Sequence, residues 1–154
     1  KESDQFDNTF IVFMSDNGAE GATIDSIPIS STWNPEKFFN NSYENIGNKD
    51  SFVTYGWHWA QAATAPSRSV KGHITEGGIR CPAIIHYPKL GSPLKISDEF
   101  TTVMDILPTV LELANIPHPG NTFRQRAVVK PRGKSWVPYL QNPDEHKHVH
   151  SEYD

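Results

Sequence analysis

The chain has 154 residues, enough for one domain with a core, but only 36% are apolar and the mean hydropathy is −0.54, lean for a sheet covered on both faces. A net charge of −4 and a pI near 6.0 give no basic footprint for nucleic acid, and no apolar run approaches the roughly 20 residues that cross a bilayer. The partners expected are therefore small molecules and a metal, with no nucleic acid and no membrane. The amino end, Lys1-Glu2-Ser3-Asp4-Gln5, lacks both an initiating methionine and a signal-peptide apolar region and reads as an internal start. Next comes Phe10-Ile11-Val12-Phe13-Met14, which predicts a buried strand, closed by Ser15-Asp16-Asn17-Gly18. A strand that ends in a carboxylate, an amide oxygen and a glycine delivers two hard oxygen donors to a sheet edge, half of a metal site. The same Asp-Asn-Gly is also ordinary turn chemistry, and on these residues alone both readings stand.

Residues 19–51 mix Gly, Pro, Ser and Asn without a sustained period and read as a long excursion from that edge, with a short helix predicted around residues 36–40. Glu20 lies in this excursion, past the rigid strand end, and is not expected as a ligand. Trp33, Phe38, Phe39, Tyr43, Phe52, Tyr55, Trp57 and Trp59 either line a cleft wall or anchor the loop to the body. Residues 57–64 predict a helix, stopped by the restriction that Pro66 places on Ala65. The stretch Val70-Lys71-Gly72-His73-Ile74-Thr75-Glu76-Gly77-Gly78-Ile79-Arg80 puts a lysine beside a glycine in a loop, then a Glu-Gly-Gly turn. Glu76 is expected to accept backbone hydrogen bonds there while Gly77 and Gly78 allow a tight approach, with Arg80 paired to a carboxylate. Residues 83–87 predict a second strand. Two strongly apolar strands make too short a sheet to stand alone, so the chain reads as a piece of a larger domain.

Val103, Ile106, Leu107, Val110, Leu111 and Ala114 recur at helical spacing, with Asp105 as cap and Pro108 tolerated in the first turn. This helix is expected to pack and to have no chemical role. Residues 115–134 read as loop, residues 136–140 as a short helix or turn ended by Asn142-Pro143-Asp144. In the tail, His146, His148 and His150 would share one face of a strand; a surface strand or a loose end is the plainer reading than a metal chelate.

Asp16-Asn17-Gly18 and the lysine loop, taken in order with Trp59-Ala60-Gln61-Ala62-Ala63-Thr64-Ala65-Pro66-Ser67-Arg68, Thr102-Val103-Met104-Asp105-Ile106-Leu107-Pro108-Thr109 and Arg132-Gly133-Lys134-Ser135-Trp136, resemble the C-terminal half of the catalytic domain of type I sulfatases, in the alkaline phosphatase superfamily, closest to bacterial-type aryl and alkyl sulfatases. The resemblance implies an α/β fold, a mixed and mostly parallel sheet flanked by helices, incomplete in this chain. It implies that residues 1–140 are the C-terminal part of that catalytic domain and 141–154 the start of a connection to a smaller subdomain. By resemblance Asp16 and Asn17 match metal ligands, with Ca²⁺ as the cation or Mg²⁺ in its place, and Lys71 matches the lysine that contacts the sulfate. The substrate implied is a small-molecule sulfate ester, hydrolysed to alcohol or phenol plus sulfate. The family's nucleophile is a formylglycine made from a Cys/Ser-x-Pro-x-Arg motif. Cys81, the single cysteine, is followed directly by Pro82 and is not that residue. The formylglycine is thus expected in a missing N-terminal half of the same domain, which is the chain's other implied partner. Alone, the chain is expected to be inactive. The alternatives are a phosphonate monoester hydrolase or phosphodiesterase of the same superfamily, and a non-catalytic fragment that binds metal weakly.

Overall fold

The structure is a computed structural model and describes residues 4–23, 37–54, 56–94 and 96–150. Trp33 and Tyr55 lie outside these residues, as does Glu36 at the start of one predicted helix. The chain divides into two compact units, Val12–Ile85 and Lys1–Ile11 with His86–Asp154.

Strands β1 (Ile11–Met14) and β2 (Ala83–His86), most of whose residues belong to the unit of Val12–Ile85, form a two-stranded antiparallel sheet, close to where the two apolar runs predict them. Ser15 N–H donates to the Pro82 carbonyl at 3.3 Å, linking the end of β1 to the start of β2. The burial expected of β1 is not found: Phe13 is 72% exposed, and on β2 Ile84 is 65% exposed. Patterning predicts which residues prefer to be covered, but a two-stranded ribbon has no second layer with which to cover them. The mostly parallel sheet is likewise not found among the described residues, whose strands form two small antiparallel sheets.

The excursion beyond β1 is held by side-chain amides. Asn45 Nδ2 donates to Asn40 O at 2.7 Å and to Asp50 Oδ1 at 3.1 Å, and Asn41 Oδ1 accepts from Phe52 N–H at 2.8 Å. Phe39 and Phe52 sit 5.3 Å apart, anchoring the loop, while Phe38 and Tyr43 are exposed. Of the helix predicted there, Lys37 has 3-10 conformation, Phe38 is in a turn and residues 39–40 are irregular chain. Helix α1 (Gly56–Thr64) then delivers Gln61, whose amide clamps the following loop: Nε2 donates to Ser67 O at 2.8 Å and Oε1 accepts from Ser69 N–H at 2.9 Å. One helical turn, α2 (Glu76–Ile79), closes the segment.

Three glycines let these loops touch backbone to backbone. Gly18 N–H donates to Gly78 O at 3.0 Å, and a Cβ on Gly18 would overlap the Gly77 carbonyl. A Cβ on Gly77 would overlap the Ser69 carbonyl, and one on Gly78 the His73 carbonyl. The tight approach expected of Gly77 and Gly78 is therefore present. Glu76 differs from expectation: its carboxylate lies 4.0 Å from Arg80 on the exposed side of α2, because the first-turn position points it outward along the helix.

In the other unit, Phe6 faces His86 at 4.5 Å, Phe10 meets Tyr87 edge-on at 6.0 Å, and Lys89 Nζ donates to Asn8 Oδ1 at 2.6 Å. Helix α3 (Ile106–Leu113) follows a 3-10 turn, Val103–Asp105, so Pro108 falls in its first turn as expected. Asn115, at φ 54°, ends it with Asn115 N–H on Glu112 O and Ile116 N–H on Leu111 O, both 2.9 Å. Strands β3 (Thr122–Phe123) and β4 (Arg126–Ala127) make an antiparallel hairpin inside the stretch expected to be loop, and helix α4 (Val137–Gln141) stops at Asn142.

Asp105 organises this unit. It is fully buried, its Oδ2 accepting from Thr102 N–H at 2.7 Å and its Oδ1 from Lys134 N–H at 2.8 Å, where Gly133 packs against the Met104 carbonyl. His150 Nε2 donates to both oxygens, at 3.0 and 2.9 Å. The tail is thus neither a strand nor a loose end: His148 meets Glu99 at 3.1 Å, Val149 is buried, and His150 plugs onto Asp105. Burial raises the Asp105 pKa, but the bonds from His150, Thr102 and Lys134 outweigh it and hold the carboxyl below its ordinary value. Its contribution to stability is accordingly complete above about pH 4 and is lost as pH falls through the lowered folded value.

Two outcomes follow from these contacts. Asp105→Ala will lower the unfolding free energy by about 3 kcal/mol or more, because it leaves His150 and two buried N–H groups unpaired. Denaturant unfolding at pH 7 checks this, and a loss under about 1 kcal/mol would show that the carboxylate does not hold the tail. Gly18→Ala will cost about 1–3 kcal/mol by forcing the two loops apart, read as a drop in the thermal midpoint. An unchanged midpoint would mean that the loops do not meet at Gly18.

Candidate functional site

The end of β1 carries Asp16, exposed, and Asn17, half-buried, just before the buried Gly18. Ser15 Oγ donates to the Asn17 carbonyl at 2.7 Å, and with Gly18 pinned to Gly78 the backbone of both candidate ligands is fixed from either side. Lys71 stands on a β-turn in which His73 N–H donates to Val70 O at 3.2 Å and Gly72 takes φ 90°, a value that favours glycine. Val70 is buried and anchors the turn from below, so the lysine at its tip is exposed while its backbone is not free.

The strand end and the lysine turn come together. Lys71 N–H donates to the Ala19 carbonyl at 2.9 Å, two residues past Asn17. Lys71 Nζ pairs with Glu20 Oε2 at 2.9 Å, the two side chains being 45% and 43% exposed. The hydrogen bond to Glu20 and its charge, with a smaller contribution from Asp16, raise the Lys71 pKa and keep the ammonium protonated. Glu20 is held below the ordinary carboxylate value, first by the Ala22 N–H that its Oε1 accepts at 2.9 Å and then by Lys71. Asp16, Asn17 and Lys71, chosen from the sequence, therefore share one corner. The pairing of Glu20 with Lys71 was missed, and an acid two residues past Asp-Asn-Gly was the signal for it.

The thiol and the imidazoles of this unit are held differently. Cys81 has its thiol pKa raised, by burial and then by Asp16, and its Sγ faces Ile79 O at 3.5 Å, so it is a small part-buried group and no activated thiolate. His58 is exposed on α1, and His73 meets Trp57 edge-on at 5.3 Å with Nδ1 3.2 Å from Val70 O. An open groove beside the loop is lined by Pro66, Ser67, Arg68, Ile74, Thr75, Glu76 and Arg80 and includes none of Asp16, Asn17 and Lys71.

As a cation site the corner fits in kind. A carboxylate and an amide oxygen are the hard donors that Ca²⁺ and Mg²⁺ take. In number it is partial: among the described residues no group of three or more His, Cys, Asp or Glu is placed to hold a metal. No helix among them is long and apolar enough to cross a membrane.

Comparison with known proteins identifies the family of the chain as a whole. A family model described as Sulfatase matches residues 1–116, which include the strand end, the lysine turn and α3. The chain is 61% identical over 150 residues to an uncharacterized sulfatase of Schizosaccharomyces pombe, covering 97% of this chain and 26% of that protein. It is 36% identical over 139 residues to an arylsulfatase of Klebsiella aerogenes, covering 88% of this chain and 29% of that one. A steryl-sulfatase of Mus musculus is 41% identical over 54 residues, 35% of this chain and 9% of the relative. The chain thus spans little more than a quarter of the first two relatives' lengths, and with the family model matching most of its residues, it belongs to the sulfatase family.

Proposed function

We propose that this chain is the C-terminal part of an alkaline-phosphatase-like catalytic domain in a sulfuric ester hydrolase, contributing two cation ligands and a sulfate-binding lysine. The observation that carries the reading is the Lys71 N–H on Ala19 O, which brings the lysine turn against the Asp16-Asn17 strand end. Asp16 and Asn17 would hold Ca²⁺, with Mg²⁺ as the substitute, and the bound cation would polarise the sulfuryl oxygens without proton transfer. Lys71 adds a compact point charge to those oxygens, and its turn, anchored by Val70 and Gly72, keeps the ammonium from wandering as charge develops. The net effect at this corner explains why both kinds of group are needed. Two carboxylates, Asp16 and Glu20, stand against one ammonium, so the chain's own charges repel an anionic ester, and a divalent cation on Asp16 reverses that sign.

The nucleophile is assigned outside these residues: the sequence has no Cys/Ser-x-Pro-x-Arg segment, and Cys81 is part-buried with a raised pKa. The exposed Phe13 and Ile84 support the same view, since a sheet of this composition calls for covering layers. The parallel sheet and the missing N-terminal half remain part of this proposal, in keeping with relatives of which the chain covers 26% and 29%. The substrate is a small-molecule sulfate ester.

In the full-length protein Asp16→Ala will lose more than about 100-fold in activity together with bound calcium, exceeding what outer-shell partners of a metal usually cost. Glu20→Ala will lose far less. Metal content and turnover on the two variants check this, and equal values would remove Asp16 from the site. Lys71→Ala will lower kcat on the order of 10² to 10³, the cost of one electrostatic stabiliser, with Lys71→Arg recovering little. Rates on an aryl sulfate and on a phosphate diester, measured side by side, decide between sulfatase and phosphodiesterase. Kinetics of Lys71→Ala within twofold of the parent would make the lysine a surface residue.

A further inference from the structure

We propose that Glu20 is the positioning residue for Lys71, fixing the ammonium beside the Asp16-Asn17 corner before substrate arrives. The inference rests on reading Lys71 as the sulfate-binding group. Residue 71 is tied to the segment after the strand twice, by its backbone N–H on Ala19 O at 2.9 Å and by its ammonium on Glu20 Oε2 at 2.9 Å. The other Glu20 oxygen accepts from Ala22 N–H, also at 2.9 Å, so the carboxylate that receives the ammonium is itself held. One of the three ammonium N–H bonds is engaged by Glu20. With the side chain 45% exposed, the ammonium is accessible to a ligand's oxygens.

A free lysine on a loop tip samples many rotamers, and a ligand that meets it must immobilise it during binding. A lysine already held by a fixed carboxylate has lost that freedom beforehand, which favours the transition state over a disordered ground state. The pair is too exposed to contribute much to stability, so a role in folding does not explain its geometry. The cost is electrostatic, because the carboxylate also repels the sulfate. That cost is tolerable where a divalent cation on the neighbouring ligands neutralises the corner.

The test is a double-mutant cycle in the full-length protein with the parent, Glu20→Gln, Lys71→Ala and the double variant. Glutamine keeps the length and the acceptor for Ala22 N–H while removing the charge. Glu20→Gln is expected to lower kcat/KM for an aryl sulfate by up to about fivefold, the scale of a half-exposed ion pair, with an unchanged thermal midpoint. In the Lys71→Ala background the same substitution is expected to be silent. Inorganic sulfate titrated by calorimetry into the four proteins reads the same cycle without turnover. Two results overturn the positioning role alone: Glu20→Gln without effect while Lys71→Ala is strongly impaired, or an effect of Glu20→Gln that persists in full without Lys71. A Lys71→Ala variant indistinguishable from the parent instead overturns the reading of Lys71, and the positioning role with it.

Discussion

Everything at the candidate corner depends on a backbone contact that only glycine permits. Gly18 donates to Gly78 at 3.0 Å with the Gly77 carbonyl where its own Cβ would be, and Gly77 and Gly78 in turn lie against the carbonyls of Ser69 and His73. The side chains that the proposed chemistry needs are exposed or half-exposed, so side-chain packing does little to hold them in place. Their positions are inherited from the backbone beneath them. A corner built this way is sensitive to a single methyl group at Gly18 and tolerant of change on its open side, the reverse of a site made by packed side chains.

The Gln61 amide extends this logic one layer outward. By donating to Ser67 O and accepting from Ser69 N–H it closes the loop that precedes Lys71, and Thr64 Oγ1 adds a bond to Ser69 O at 3.0 Å. Ser69 adopts φ 66° there, a left-handed conformation unusual for a residue with a side chain, and the two bonds from α1 hold it in place. Helix α1 thus acts as a jig for the lysine turn. On the same helix Trp59 is exposed and Trp57 half-exposed.

What could be read from the sequence was local. The apolar runs that become β1 and β2, the Pro108 helix with Asp105 at its start, the Asn142 stop and the tight approach of Gly77 and Gly78 each have a physical cause within a few residues. What could not be read was set by distance or by context. The hairpin of β3 and β4 turns at Arg124 and Gln125, both with positive φ, where the usual Asn-Gly marker is absent, so the turn rule had nothing to find. The Asp105–His150 and Lys71–Glu20 pairs join segments far apart in the chain, and no periodicity reports such contacts. The burial of β1 was overestimated because burial belongs to the layers around a strand and not to the strand's own pattern. The candidate residues were therefore legible as types in order, while the side chains they pair with were not.

Asp105 and Asp16 show why residue type alone could not separate structure from chemistry. Both are aspartates beside an apolar segment, and Asp-at-a-cap and Asp-at-a-strand-end are equally ordinary in sequence. Asp105 has every oxygen engaged by backbone N–H groups and an imidazole, in full burial, and such a carboxylate has no capacity left for a ligand. Asp16 is exposed and sits on a backbone pinned from both sides, which leaves its carboxylate rigidly based and free to face solvent. A carboxylate that spends its lone pairs on the fold stabilises it, whereas one that is positioned without being satisfied is held ready for a cation. On that criterion Asp16 fits the cation-ligand role proposed for it, and Asp105 is the acid the surrounding unit is built on.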